Sequence, residues 1–336
     1  MKINQLLTIL PLACSLIGGS HLSAQYRSHF SGQEIERSQV KLYLDKSSSI
    51  DLIKNSIQAP FGLSYDDLLS LGFRMWKNYA GGTLEGLTKW DESNADHQFM
   101  YLGIASNIWL PEGSSSIFQA DWPVVAQRLK DLGCKIKPWM LEDCPWSSKE
   151  EFDADFDSKK MTWLRTHLSK KKLVWAQAFC IAERLQRSMD PNSPDSLLNG
   201  LTADQSALVQ KNFNLVVHCT NPSGIYALID YVNFKGEGRL DGAEKFNGQS
   251  WGLLQVLLNM QTPEEGADDA TIINAFFESA KVTLNNRIIN QKIQDPNSNE
   301  QQYWNMWVAH LSDYLLSNDE VTARFLDQAP VEASNK

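Results

Sequence analysis

Residues 231–256 carry the strongest signal in the chain, and they read Tyr-Val-Asn-Phe-Lys-Gly-Glu-Gly-Arg-Leu-Asp-Gly-Ala-Glu-Lys-Phe-Asn-Gly-Gln-Ser-Trp-Gly-Leu-Leu-Gln-Val. The stretch begins in an amphipathic run that predicts a helix and then enters a polar, glycine-rich loop. Glu237 stands where the predicted helix gives way to the loop. Fifteen residues later, Gly-Leu-Leu-Gln from Gly252 to Gln255 opens a second apolar run, which predicts another helix.

This order of helix, glutamate, loop and Gly-Leu-Leu-Gln resembles the active-site region of soluble lytic transglycosylases and goose-type lysozymes. In those families the catalytic glutamate ends a helix, and a Gly-Leu-Met-Gln run follows at about this spacing. The resemblance implies a lysozyme-like fold and cleavage of the MurNAc–GlcNAc β-1,4 bond of peptidoglycan, with Glu237 as general acid and then base. Chitin-like polymers of N-acetylglucosamine remain open as substrates.

Glycoside cleavage needs an acid that protonates the leaving oxygen, so the environment of Glu237 matters. A carboxyl group at a helix end beside Phe234 and Trp251 is expected to have a raised pKa, because burial disfavours its charged form. Gly236 and Gly238 permit a sharp turn, and Gly252 is expected to bring the next helix close to Glu237. The predicted substrate-binding residues are Tyr79, Tyr231, Asn247, Gln249, Trp251, Gly252 and Gln255.

A second carboxylate would separate hydrolysis from transglycosylation. A hydrolase usually uses a partner carboxylate, whereas a lytic transglycosylase can use the muramic acid O6 as an internal nucleophile. Asp241 and Glu244 lie in the loop and are alternative catalytic residues, although solvated loop charges are the plainer interpretation.

An earlier part of the chain carries a second resemblance. Its motifs are Phe-Arg-Met-Trp-Lys-Asn-Tyr at 73–79, Gly-Gly at 81–82, Leu-Thr-Lys-Trp at 87–90 and Tyr-Leu-Gly-Ile-Ala-Ser-Asn-Ile-Trp-Leu-Pro at 101–111. They look like a family of exported bacterial proteins, mostly of unassigned function, and the likeness covers roughly residues 70–260.

Two departures from that family bear on catalysis. Tyr79 stands where the family has Glu, and Ala105-Ser106 stand where it has Gly-His. If that Glu is the family's acid, this chain has lost it. The resemblance then implies a catalytically inactive lysozyme-like module that binds a glycan or a partner protein. Glu85 is an alternative acid at a phage-lysozyme-like distance before Gly103, and an exposed hairpin carboxylate is the plainer account of it.

The N-terminus has the pattern of an export signal, with Lys2, an apolar stretch from Leu6 to Ile17 and a small-residue cleavage site ending at Ala24. Cleavage there would leave 336 − 24 = 312 residues in the periplasm or secreted. A lipoprotein signal ending at Cys14 is the alternative. No later segment predicts a transmembrane helix.

Composition narrows the partners and cofactors. The net charge of −9 argues against nucleic acid, which needs a basic patch. Scattered His residues predict no metal site, and no cofactor motif is present. Cys134 and Cys144 flank a proline-containing loop and are the favoured disulfide pair, while Cys180 and Cys219 either pair or are buried thiols.

Periodicity predicts a mainly α protein (α+β), a lysozyme-like helical domain with a small β-hairpin or sheet before Pro111. The predicted organisation is a signal peptide at 1–24, an irregular leader at 25–60, a single domain at 61–328 with one or two lobes, and a disordered tail at 329–336. Predicted helices include 158–169, 170–189, 251–260, 268–290 and 302–318. A helical structural protein without cleft chemistry remains a third interpretation.

Overall fold

The computed structural model describes residues 59–91, 98–114, 120–242 and 245–326. The predicted signal peptide, most of the leader and the predicted tail lie outside them. The described helices are α1 (Tyr65–Ala80), α2 (Trp122–Asp131), α3 (Lys149–Ala154), α4 (Lys159–Leu168), α5 (Lys171–Met189), α6 (Ala203–Val217), α7 (Gly224–Lys235), α8 (Leu253–Asn259), α9 (Asp269–Gln294), α10 (Trp304–Leu311) and α11 (Asn318–Val321).

Three short strands form an antiparallel sheet between α1 and α2. They are β1 (Thr88–Trp90), β2 (Met100–Leu102) and β3 (Asn107–Trp109), in the order β1-β2-β3. Tyr101 of β2 lies opposite Lys89 on one side and Ile108 on the other. The prediction of a mainly helical protein with one small sheet is confirmed.

Several helix starts follow the capping signals in the sequence. Ser64 and Asp67 form a capping box before α1, and Thr202 and Gln205 form one before α6. In each box a side chain satisfies a backbone N–H that has no partner within the helix. The predicted helix at 302–318 is shorter than expected, because α10 tightens into a 3-10 turn at Ser312–Leu315.

Helix α5 is at the centre of the packing, with α1, α2, α4 and α7 against it. Its residues from Lys172 to Ala182 are all buried, which explains why its apolar pattern extends around most of the helix. Gly72 allows α1 to approach closely, since a Cβ there would lie 2.7 Å from Val174 Cγ1. The amide of Ile104, in the β2–β3 turn, donates to Gln177 Oε1 at 3.0 Å and fixes the sheet against α5.

The C-terminal helices complete the core around α8 and α9. Helix α8 packs on both α6 and α9, and α10 packs on α9. Arg287 of α9 pairs with Glu300 at 2.6 Å, with both side chains almost fully buried. The same guanidinium lies 4.3 Å from the centroid of Trp251, so this tryptophan belongs to the core.

Gly252 is the tightest constraint at the start of α8, and its replacement by alanine is expected to destabilise the fold. A Cβ there would lie 2.2 Å from Gly238 N, within backbone that cannot move independently. We expect Gly252→Ala to lower the free energy of unfolding by about 2–3 kcal/mol, as overpacking does. Urea denaturation of the purified chain measures it.

Gly248→Ala is the control, because Gly248 has a positive φ of 76° but open space around its Cβ position. Gly248→Ala should lower the free energy of unfolding by only about 1 kcal/mol, the penalty for a side chain on left-handed backbone. A loss for Gly252→Ala no larger than that would contradict the steric argument.

Candidate functional site

Glu237 is placed by a helix end and two glycines, as the sequence predicts. Helix α7 ends at Lys235, and the amide of Gly236 closes its last turn on Val232 O. Gly236 and Gly238 have φ values of 79° and 71°, a left-handed region that favours glycine. The chain therefore reverses around Glu237 and leaves its side chain at the surface between them, only partly buried.

The start of α8 is bound to this loop through backbone groups. The amides of Leu253 and Leu254 donate to the carbonyls of Gly236 and Glu237 at 3.0 and 2.9 Å. Gly252 touches the loop backbone directly, which confirms the predicted approach of α8 to Glu237. These contacts satisfy N–H groups at a helix start that otherwise lack partners.

Gln255 has a structural role in this loop, and its predicted contact with substrate stays a prediction. Its Oε1 accepts from the amide of Gly252 at 2.9 Å, and its Nε2 donates to Gly238 O at 2.8 Å. Both ends of the side chain are therefore used to hold the loop against α8. The reason is local, since the start of α8 and the loop each offer an unpaired backbone group at this point.

Arg184 of α5 binds both carboxylate oxygens of Glu237. Its Nε lies 2.5 Å from Oε1 and its second guanidinium nitrogen 2.7 Å from Oε2. The side chain of Glu237 is 20% exposed and that of Arg184 39%. This two-bond geometry is the strongest that a carboxylate and an arginine form.

The predicted rise in the pKa of Glu237 is wrong, because this ion pair reverses it. Burial disfavours the charged form and raises the pKa, but the charge and hydrogen bonds of Arg184 outweigh burial, and the net pKa is lowered. A general acid must carry a proton near neutral pH, whereas this environment keeps Glu237 ionised.

Asp121 is a second carboxylate near Arg184, and the sequence marks it only as the residue before α2. Its side chain accepts a hydrogen bond from the amide of Ile108 instead of capping the helix. Burial raises its pKa to about 6, and the nearby charge of Arg184 opposes that rise. The charge of Arg184 thus acts on two carboxyl groups, of which Asp121 has a raised pKa and Glu237 a lowered pKa.

Tyr79 and Ser106, the two departures from the family pattern, lie next to each other. Ser106 Oγ donates to Tyr79 O at 3.4 Å, and Ser106 has a positive φ of 56°. Tyr79 is 1% exposed, and its hydroxyl donates to Asp230 O at 3.3 Å. The prediction that Tyr79 binds substrate is wrong, because its ring belongs to the core.

Beneath Tyr79 lies a buried polar network centred on Asp230 of α7. His310 and the hydroxyl of Tyr314 both contact Asp230 Oδ2, at 2.5 and 2.6 Å, and Tyr226 donates to Oδ1 at 3.2 Å. Burial raises the pKa of Asp230, but His310 and Tyr314 together outweigh it, and the net pKa is lowered. Each member of the network is at most 1% exposed, so the network supports the fold.

Two further residues that were predicted to bind substrate, Tyr231 and Trp251, contact groups of the core. Tyr231 is fully buried, and its hydroxyl donates to Trp251 O at 2.9 Å. Trp251 is 2% exposed and stacks on Phe246. Both were wrongly predicted to contact substrate, because they fill the core between α7 and α9.

Asn247 and Gln249 are exposed amides, but they hydrogen-bond to α9. Asn247 N donates to Gln294 Oε1 at 3.1 Å, and the Asn290 amide donates to Gln249 Oε1 at 3.0 Å. Their hydrogen bonds fix the loop on α9 and do not extend toward Arg184.

The alternative carboxylates are also accounted for. Glu85 is exposed in a short 3-10 helix before β1. Asp241 is exposed and pairs with Arg239 at 2.7 Å. The hydrogen bonds from Arg239 lower the pKa of Asp241. Glu244 lies outside the described residues.

The four cysteines from Cys134 onward are buried thiols, so the predicted Cys134–Cys144 disulfide is absent. Burial raises the pKa of Cys144 to about 12. The described residues contain no group of three or more His, Cys, Asp and Glu side chains arranged to hold a metal. No helix among them is long and apolar enough to cross a bilayer.

Comparisons with protein-family models, with curated proteins and with solved structures found no match to this chain.

The lowered pKa of Glu237 depends mainly on Arg184, and Arg184→Gln should raise this pKa, because the charge and the hydrogen bonds that most strongly oppose burial are then lost. In the wild type the pair stabilises the fold above the unfolded pKa, and this stability is lost as the pH falls through the lowered folded pKa. Carboxyl NMR titration measures the change.

Arg239→Gln is the matched control, since the charge of Arg239 acts on Glu237 more weakly and no hydrogen bond joins them. It should shift the titration less than Arg184→Gln does. An unchanged Glu237 titration in Arg184→Gln would show that the ion pair does not set the pKa.

Asp230→Asn should destabilise the fold strongly, because it leaves His310 and two tyrosine hydroxyls without a buried charge to bind. We expect a loss of about 3 kcal/mol in the free energy of unfolding, measured by urea denaturation at neutral pH. Asp153→Asn removes an exposed i,i+4 ion pair with Lys149 and should cost only about 0.3–0.5 kcal/mol. Equal losses would contradict a structural role for the network.

Proposed function

We propose that this protein is a non-catalytic lysozyme-like module that binds peptidoglycan or a related N-acetylglucosamine glycan after export. The main observation against catalysis is the ion pair between Arg184 and both carboxylate oxygens of Glu237. An ionised carboxylate held in this way cannot protonate a leaving oxygen without first losing its strongest partner.

The surroundings of Tyr79 support the same proposal. The resemblance to exported bacterial proteins places a glutamate at this position and a histidine at Ser106. Here a buried aromatic ring and a short hydroxyl occupy the two positions, and both hydrogen-bond to backbone carbonyls. Neither group can supply an acid with a pKa near neutral, since burial raises the pKa of Tyr79 well above its ordinary value.

Glycan binding rests on the resemblance of the region from Glu237 to Gln255 to lytic transglycosylases and goose-type lysozymes. Loss of one acidic group would remove the chemistry without by itself removing the binding of a strand elsewhere on the surface. An exported chain with net charge −9 is also poorly suited to bind nucleic acid.

One observation favours a second candidate function, glycan cleavage with Asp121 as the acid. Burial raises the pKa of its carboxyl to about 6, while Glu237, paired with the same Arg184, stays ionised. Two carboxyl groups with pKa values pushed apart can divide the roles of acid and base. The carboxylate of Asp121 already accepts the amide of Ile108, which argues for a structural role.

Digestion and sedimentation of purified sacculi separate these functions. We expect the mature protein to co-sediment with sacculi and to release no muropeptides by mass analysis, because the ion pair with Arg184 keeps Glu237 ionised. Glu237→Gln should bind as the wild type does.

Anhydro-muropeptides or reducing-end products from the wild type would overturn the non-catalytic proposal. Their loss in Asp121→Asn but not in Glu237→Gln would establish the second candidate, and their loss in Glu237→Gln would establish Glu237 as the acid. Failure to co-sediment would overturn glycan binding.

A further inference from the structure

The tryptophans divide sharply by exposure, and this division points to a surface away from Glu237. Eight of the eleven tryptophans are at most 3% exposed and belong to the core. The partly exposed ones are Trp139, Trp163 and Trp304. Trp139 and Trp163 are neighbours, with ring centroids 6.4 Å apart and planes at 61°.

Each of these two rings is backed by an aromatic ring of the interior. Trp139, in the 3-10 turn Pro138–Met140, stacks on buried Trp109 with centroids 5.8 Å apart. Trp163 of α4 stacks on buried His167 at 4.6 Å and 14°. His167 is fixed in turn by a 2.5 Å contact with Lys135 O. The two rings are therefore held in place before any ligand arrives.

The solvent side of the pair carries lysines. Lys137 Nζ lies 3.8 Å from the centroid of Trp163. His167 and Lys137 cannot share one face at these distances, so Lys137 covers the face opposite His167. Lys160 Nζ lies 4.7 Å from the centroid of Trp139 and 4.6 Å from that of Trp146.

Both lysines are exposed and available to a ligand. Within the described ranges neither forms an ion pair with a carboxylate. Exposed cation–π contacts are weak, so a sugar ring can displace a lysine from the indole face while the ammonium stays near enough to bind an anion.

We propose that Trp139, Trp163, Lys137 and Lys160, here called the tryptophan platform, bind a glycan strand that carries carboxylates. The axial C–H groups of a sugar ring pack on an indole face, and the ammonium groups bind a carboxylate next to the ring. The proposal rests on the proposed function, since it takes the ligand to be a glycan, and it moves the binding surface from Glu237 to this platform.

The charge of the two lysines favours an acidic glycan over a neutral one as the ligand of the platform. The chain as a whole carries −9 and disfavours an acidic polymer. Lys137 and Lys160 place two positive charges beside the two rings, which neutral sugars would not require. Peptidoglycan strands freed of their stem peptides expose the lactyl carboxylate of muramic acid and serve as the acidic probe. Oligomers of N-acetylglucosamine serve as the neutral probe.

Binding is measured by calorimetry at low and moderate salt with both probes. Trp163→Ala should weaken binding of the acidic strands about tenfold, because it removes a stacking face. The double variant Lys137→Glu with Lys160→Glu should weaken acidic strands about tenfold and the neutral oligomers by less than about threefold, with the difference shrinking in salt.

Matched controls are Trp304→Ala, a partly exposed tryptophan of α10, and Lys281→Glu, a lysine 5.0 Å from the centroid of Phe277 on α9. Both should bind as the wild type does. If Trp163→Ala fails to fold, the lysine double variant decides alone.

Two results would overturn the platform, and they are distinguishable. Wild-type binding that survives unchanged in the platform variants refutes the platform and leaves the proposed function standing. Absence of wild-type binding to either probe refutes both.

Discussion

The burial of helix α5 on nearly all sides is the constraint on which the other elements depend. A buried helix that carries polar side chains must find partners for them, and three of the partners of α5 belong to different neighbours. Lys172 reaches Gly133 O after α2, Gln177 takes the amide of Ile104 in the β2–β3 turn, and Arg184 takes Glu237 after α7. The polar residues of α5 thereby position α2, the sheet and the loop that holds Glu237.

In that setting the pairing of Glu237 with Arg184 serves the fold in the same way as the other contacts of α5. A carboxylate used to anchor a loop and a carboxylate used as an acid need opposite environments. The first is stabilised as an anion by a nearby cation, and the second is kept neutral by burial without one. The charge of a single arginine therefore separates two functional interpretations of the same Gly-Glu-Gly tripeptide.

Local patterns in the sequence predicted much of the fold. Capping boxes at Ser64 and Thr202, glycines with positive φ beside Glu237, and the close approach of Gly252 all depend on residues near one another in the chain. The environment of Glu237 could not be predicted, because Arg184 lies 53 positions earlier and nothing in the local sequence pattern links the two residues. Trp251 and Tyr231 were misassigned for the same reason, since α9 and Arg287 that cover them come later in the chain.

The backbone contacts between α8 and the Gly236–Gly238 loop have a consequence for local opening. A helix start usually frays independently, since its first amides have no partners within the helix. Here the amides of Leu253 and Leu254 are bonded to the loop that holds Glu237, and Gln255 closes the same junction. The first turn of α8 and the Glu237 loop must therefore open together, as one cooperative unit whose amides share one free energy of opening in hydrogen exchange.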